Sequence, residues 1–221
     1  MQLKTISVTA LPHSSYQPMG LSLHAYCVED IYLRNLIPYK NNQIKKLNVT
    51  LVGQNDLDFF SSTTLSLDKF VNQLSIGEVF LMFDFELYSK SDEYSKKLAI
   101  LDKIQEGFEI FCKQTNSDPG PFRTAYQRCI NQKLIDEYVY KEVYSKDKKY
   151  KIQVLIRLDL TTLKVIGNFF DSRGAKLSER IFMERDPLPL YDEYLGDVKW
   201  KSDNEVILYG ESKAQFWITT L

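Results

Sequence analysis

Two carboxylates near the middle of the chain, Asp84 and Glu86, have a spacing that could support chemistry. They follow an apolar run that predicts a central strand over 79–87, and side chains two residues apart on a strand project from the same face. Paired carboxylates can bind a metal ion or carry out general acid–base catalysis. A strand end that emerges into solvent, or ion pairing with nearby lysines, would explain the same residues without chemistry.

No other residue set completes a catalytic site. His13 and His24 are the two histidines of the chain, and neither accompanies a nucleophile motif. The sequence has no G-x-S-x-G elbow, no Walker loop and no dinucleotide fingerprint. Its three cysteines lack metal-ligand spacing, and we predict that they are reduced core thiols. We therefore expect no catalytic residues, no metal site and no cofactor, and we predict that the protein is not an enzyme.

Charge and hydropathy narrow the class of partner. The chain has 28 Lys and Arg against 29 Asp and Glu, which gives a net charge of −1, whereas nucleic-acid binders are usually basic. The lysines at 45–46 and 146–151 lie in or beside predicted turns. No apolar run approaches the roughly 18 residues of a membrane span, and the N-terminus lacks a signal-peptide pattern. We expect a cytoplasmic protein that binds neither nucleic acid nor membrane.

The segment 186–197 (DPLPLYDEYLGD) joins acidic residues to tyrosines. Tyrosine is a rigid amphipathic anchor at interfaces, and carboxylates around it attract a basic partner and speed the encounter. An ordinary long loop whose tyrosines fold back on a sheet is the alternative. The partner-binding residues that we predict in this segment are Tyr191, Asp192, Glu193, Tyr194 and Asp197.

The elements that would position these residues are clearest in the middle of the chain. Apolar residues spaced three or four apart predict two amphipathic helices, at about 92–115 and 121–134. Ser91 is the expected N-cap of the first helix, and Pro121 suits the first position of the second. Two helices with one apolar face each need a partner surface, and we expect a sheet.

Alternation of apolar and polar residues predicts strands on both sides of this helical pair. Strands are expected at 2–11 and 47–52, a short helix capped by Ser66 is expected between them and the central strand, and 21–36 fits either a strand or a short helix. Behind the pair, short turns connect strands at 137–145, 150–158, 163–170, 176–184, 197–201, 205–209 and 214–219. Short connections imply antiparallel pairing.

These elements predict a single α+β domain over residues 1–221. It is mostly antiparallel sheet, with the helical pair packed on it and a C-terminal strand meander. The alternative is two abutting sub-domains with a boundary near residue 135.

Four stretches of the chain together resemble the immunity proteins of bacterial polymorphic-toxin systems. They are ISVTALPHSSYQPMGLSLHAY near the N-terminus, PYK at 38–40, IGEVFLMFDFE before the helices, and YLGDVKWKSDNEVILYG near the C-terminus. These proteins are small and cytosolic, and each binds and neutralises a toxin made beside it. The family has many folds and no shared catalytic motif, so no functional residues carry over.

The resemblance implies a non-enzymatic protein that occludes a cognate toxin, and the acidic loop implies a basic surface on that toxin. Two alternatives stay open at this point. One is a metal-dependent enzyme that uses Asp84 and Glu86, and the other is a structural or adaptor domain.

Overall fold

A computed structural model of the protein describes residues 3–11, 18–36, 43–63, 65–187, 195–212 and 216–221. The chain divides into two compact units, Met1–Ile135 and Asp136–Leu221. The described residues mix helices and strands, which confirms the α+β class.

Unit 1 is built on a mixed four-stranded sheet. Its strands are β1 (Thr5–Ala10), β2 (Lys46–Val52), β3 (Phe70–Gln73) and β4 (Ile76–Met82). Their order in the sheet is β1-β2-β4-β3, and β1, β2 and β4 run parallel to one another while β3 is antiparallel to β4. The carboxyl ends of β1, β2 and β4 therefore meet at one edge of the sheet.

The described helices all belong to unit 1. They are α1 (Pro18–Asn35), α2 (Leu57–Ser61), α3 (Phe85–Lys90), α4 (Glu93–Thr115) and α5 (Gly120–Asn131). The predicted helical pair is confirmed as α4 and α5, although the N-cap of α4 is Asp92 rather than Ser91, because the Asp92 carboxylate accepts the Ser95 N–H at 2.8 Å. Within the described part of the chain, no helix is both long and apolar enough to cross a membrane.

Helix α4 packs on the apolar face of the mixed sheet. Its Gly107 lies so close to β2 that an added Cβ would be 3.1 Å from Val49 Cγ2. The Phe108 ring stacks on Tyr32 of α1 at 5.5 Å and on Phe122 of α5 at 4.1 Å, between ring centroids. This stack joins three helices over one core.

Two segments of unit 1 differ from the sequence prediction. The strand alternative for 21–36 is wrong, because Leu21, Ala25 and Val28 are buried at helical spacing in α1. The short helix expected after Ser66 is also wrong, because that segment continues into β3. There Phe70 sends its ring to Phe111 of α4, with the centroids 5.1 Å apart, while the backbone pairs with β4.

Unit 2 is formed by the seven strands predicted behind the helices, and their positions are confirmed for the described residues; residues 214 and 215 of the last predicted strand lie outside them. They are β5 (Asp136–Tyr144), β6 (Tyr150–Leu158), β7 (Leu163–Asp171), β8 (Lys176–Arg185), β9 (Val198–Trp200), β10 (Glu205–Tyr209) and β11 (Phe216–Thr220). They make an antiparallel sheet of order β5-β6-β7-β8 and a second antiparallel sheet of order β11-β10-β9.

The core of unit 2 lies where its two sheets meet. Trp200 of β9 contacts Phe169 of β7 edge-on, with ring centroids 5.8 Å apart, and its Nε1 donates a hydrogen bond to the Val143 carbonyl at 3.1 Å. The apolar side chains buried in this unit include Ile152, Val154, Ile156, Val165, Phe169, Val198, Val206 and Leu208.

Candidate functional site

A cleft of about 1330 Å³ opens in unit 1 just beyond the carboxyl ends of β2 and β4. One wall is the 3-10 turn Gln54–Asp56 that follows β2, a second is the start of α3 after β4, and a third is α4. In α/β sheets, ligands bind in crevices outside the carboxyl ends of the parallel strands. This cleft is therefore the candidate site that the fold itself favours.

The predicted strand 79–87, which was expected to carry Asp84 and Glu86, is wrong in its C-terminal half. Strand β4 ends at Met82, because Asp84 caps α3: its Oδ1 accepts the Leu87 N–H at 2.8 Å. Glu86 lies in the first turn of that helix and pairs with Lys90, with the Nζ and Oε1 atoms 2.6 Å apart. Asp84 thus lies at the N-cap and Glu86 in the first turn of α3, so neither carboxylate is on a strand. The sequence predicted that both carboxylates project from one face of a strand. The structure instead places them at the start of a helix, where both line the cleft.

A third carboxylate, Asp56, lies buried beneath the turn after β2. It is 6% exposed, and its Oδ2 accepts the Gly53 N–H at 3.0 Å. Gly53 permits this tight approach, since an added Cβ would lie 2.9 Å from that oxygen and 3.0 Å from the Phe85 ring. The turn and the start of α3 are thus packed together at the base of the cleft.

Helix α4 contributes two further acids. The Asp102 carboxylate accepts a hydrogen bond from the Tyr126 hydroxyl at 2.8 Å, and Glu106 pairs with Lys103 at 2.7 Å. Among the described residues that line the cleft, Lys103 is the one basic side chain. The five acidic side chains of the lining, here called the acidic cleft, are Asp56, Asp84, Glu86, Asp102 and Glu106.

Apolar groups lie between these acids. Leu87 of α3 is 65% exposed, and Met82, Leu98 and Ala99 complete an aliphatic part of the lining. Such a surface offers carboxylates for a cationic group and hydrocarbon for the chain that carries it. Within the described part of the protein, no three His, Cys, Asp or Glu side chains are grouped so that they could hold a metal ion.

The base of the cleft also holds a tyrosine–histidine contact. The hydroxyl of Tyr88, a buried residue of α3, lies 3.1 Å from Nδ1 of His24 on α1. Burial lowers the pKa of His24 below its usual value of 6.5, and the charge of Lys96 lowers it further. The imidazole is therefore mostly neutral at pH 7, which suits a structural hydrogen bond between α1 and α3.

Of the five residues predicted in the acidic loop, Tyr191, Asp192, Glu193 and Tyr194 lie outside the described residues. Asp197 is described, and it forms ion pairs with Lys141 at 2.8 Å and Lys199 at 3.1 Å. Hydrogen bonds from those two lysines lower the pKa of Asp197 to about 2. Its charge is thus balanced within unit 2, and its role in partner binding stays a prediction. His13 also lies outside the described residues.

Sequence reasoning missed three members of the acidic cleft, although two signals pointed to them. Asp56 follows a predicted strand, at the edge where parallel strands end. Asp102 and Glu106 are four residues apart on the polar side of a predicted amphipathic helix, so they share a face. What the sequence lacked was the parallel pairing of β2 with β4, which brings these segments together.

Comparisons with known proteins give the chain no relative from which a function could be transferred. No protein-family model matches it, no curated protein matches it and no solved structure matches it.

Proposed function

We propose that the protein is a non-enzymatic binding protein, an immunity protein of the bacterial cytoplasm that neutralises a cognate toxin by tight binding and occlusion. The observation that supports the proposal best is the acidic cleft. It combines five carboxylates with the exposed Leu87 in a concave surface at the edge of a rigid sheet.

The charge of the cleft favours a basic partner. Among the described residues, five acidic side chains line the cleft against one basic side chain, Lys103. Such an excess of one sign of charge focuses the electrostatic potential and raises the rate of encounter with a partner of the opposite sign. A toxin that cuts nucleic acid needs lysines and arginines to hold phosphates. An acidic cleft complements such a surface and would block it when bound.

The carboxylates are also held in place before binding. Hydrogen bonds or ion pairs fix Asp84 to the Leu87 amide, Asp102 to the Tyr126 hydroxyl and Glu106 to Lys103. Preorganised groups lose less conformational entropy when a partner arrives. Leu87 adds exposed apolar surface that a bound partner would remove from water.

Growth of a test strain provides the first experiment. The reading frame immediately upstream of this one is expressed with and without this protein, and growth and co-purification are measured. We expect the neighbour to be toxic alone, harmless with this protein, and recovered in a stable complex. A harmless neighbour that forms no complex contradicts the proposal.

Charge reversal then locates the binding surface. Glu86→Lys with Asp102→Lys should weaken the complex by at least about tenfold, because both side chains are exposed, line the cleft and cap no helix. The control is Asp203→Lys with Glu211→Lys, which makes the same charge change at exposed positions of unit 2. If Asp192→Lys with Glu193→Lys abolishes binding while the cleft variant does not, the predicted loop is the binding surface instead.

A further inference from the structure

The two ends of the parallel strands in unit 1 carry opposite charges. The acidic cleft lies at the carboxyl ends, whereas Lys4 directly precedes β1 and Lys45 directly precedes β2 at the amino ends. Backbone hydrogen bonds hold this second edge together: the Lys4 N–H donates to the Lys45 carbonyl at 2.8 Å, and the Lys45 N–H donates to the Ser75 carbonyl at 2.7 Å. Both lysines are exposed, and neither forms an ion pair with a described residue.

The turn between β3 and β4 projects from this basic edge. Leu74, its first residue, is 92% exposed, and Ile76 beside it is 41% exposed. Leu74 has φ 52° and Ser75 has φ 66°, so both central residues of the two-residue turn are left-handed, as a type I′ turn requires. Asn-Gly adopts this conformation with little strain, whereas a leucine there is both strained and exposed to water.

Within the described residues of the turn, no contact compensates for the strained backbone of Leu74 or for the exposure of its side chain to water. A docked partner would provide one, since removing the leucine side chain from water is favourable. We define the basic tip as Lys4, Lys45, Leu74, Ser75 and Ile76. Its partner needs an apolar pocket with acidic groups around it.

The acidic cleft at the other end of the sheet offers this chemistry, because its lining combines acidic side chains with Met82, Leu87, Leu98 and Ala99. The strands that separate the two ends, β2 and β4, are seven residues long, which is about 20 Å. A sheet of that length keeps the basic tip away from the cleft of its own molecule. The occupant that fits is the basic tip of a second copy.

We propose that the protein associates with itself head to tail, the basic tip of one copy inserted in the acidic cleft of the next. A contact of this kind is heterologous, so it closes into a ring or extends as an open chain. Charge steers this association, so it weakens as the ionic strength rises above about 0.1 M, where the Debye length is about 10 Å. The inference goes beyond the proposed function and is tested on the purified protein alone.

Sedimentation velocity over a range of protein and salt concentrations tests the proposal. The wild type should associate at low salt and dissociate as salt rises. Lys4→Glu with Lys45→Glu, and separately Glu86→Lys with Asp102→Lys, should each be monomeric under the same conditions. An equimolar mixture of the two variants should associate again, because each supplies the charge that the other now complements.

Leu74→Asn with Ser75→Gly separates docking from folding. The change suits the type I′ turn, so the melting temperature should stay the same or rise, while self-association weakens about tenfold through loss of the leucine anchor. Asp203→Lys with Glu211→Lys should associate like the wild type. A monomeric wild type at low salt, a mixture of charge variants that stays monomeric, or full association without Leu74 would each overturn the proposal.

Discussion

Glu29 is a buried acidic residue of unit 1. It lies on α1, is 8% exposed, and its Oε1 accepts the N–H of Val8 in the edge strand β1 at 2.6 Å. Burial raises the pKa of this carboxyl to about 8, although the hydrogen bond from Val8 opposes the rise. Glu29 is therefore mostly protonated at pH 7, and its hydrogen bond to Val8 connects α1 to the sheet.

The pH dependence of stability follows from this raised pKa. The folded state retains a proton on Glu29 that the unfolded state releases near pH 4.5, so the free energy of unfolding should fall as pH rises from about 5 to about 8. The loss should reach a few kcal/mol. Glu29→Gln keeps the acceptor oxygen and has no proton to lose, so its stability should vary less over that range.

Urea denaturation of the wild type and Glu29→Gln at several pH values between 5 and 8 measures this difference. The informative quantity is the difference in unfolding free energy between the two proteins, because other titrating groups contribute equally to both. Parallel pH profiles would show that Glu29 ionises in the folded state as it does in the unfolded chain.

At the scale of the elements, the contact between α1, α4 and α5 depends on one ring. Phe108 is fully buried between Tyr32 and Phe122. Phe108→Ala should lower the free energy of unfolding by about 3–5 kcal/mol, because it leaves a cavity and removes two ring stacks. Urea denaturation followed by far-UV circular dichroism measures the loss. Phe108→Leu, which keeps most of the volume, should lose clearly less, and an equal loss would mean that packing volume is not what Phe108 supplies.

The elements that the sequence predicted best show a clear apolar period. Helices α4 and α5 place apolar residues three or four apart, and β6 alternates buried and less buried residues with period two. Their turns carry the residues that turns need. In these segments the apolar pattern of the sequence agrees with the tertiary fold, so the pattern alone was sufficient to predict the secondary structure.

The elements that the sequence missed lack a single apolar face. Helix α1 buries Leu21 and also Cys27, which lies about 120° around the helix from it, so the buried arc is broad and the helical period is blurred. Strand β3 has four residues and contributes Phe70 alone to a buried contact, so it is too short to show a period. Asp84 was placed on a strand because nothing local revealed that it would cap a helix.

At the scale of the whole molecule, composition hides the arrangement of charge. A net charge of −1 from 28 basic and 29 acidic residues predicts no particular partner. The fold nevertheless gathers five acids around one cleft and leaves exposed lysines at the opposite end of the same strands. This separation depends on parallel pairing between segments far apart in the sequence, which residue counts cannot reveal.

Because the chain divides into two units, the units can unfold either together or one at a time. Each unit has a core of its own, around Phe108 in unit 1 and around Phe169 in unit 2, and both residues are fully buried. The described helices all lie in unit 1, whereas both tryptophans of the chain, Trp200 and Trp217, lie in unit 2. Far-UV circular dichroism of the helices therefore follows unit 1, and tryptophan fluorescence follows unit 2.

We expect each core substitution to act on its own unit. Phe108→Ala should shift the dichroism transition to lower urea and leave the fluorescence transition in place. Phe169→Ala should shift the fluorescence transition and leave the dichroism transition in place. Each substitution should lower the free energy of unfolding of its own unit by about 3–5 kcal/mol. Coincident transitions of two probes are the mark of a single cooperative domain. If either substitution moves both transitions together, the chain unfolds as the single α+β domain predicted from its sequence, and the boundary after Ile135 divides contacts without dividing stability.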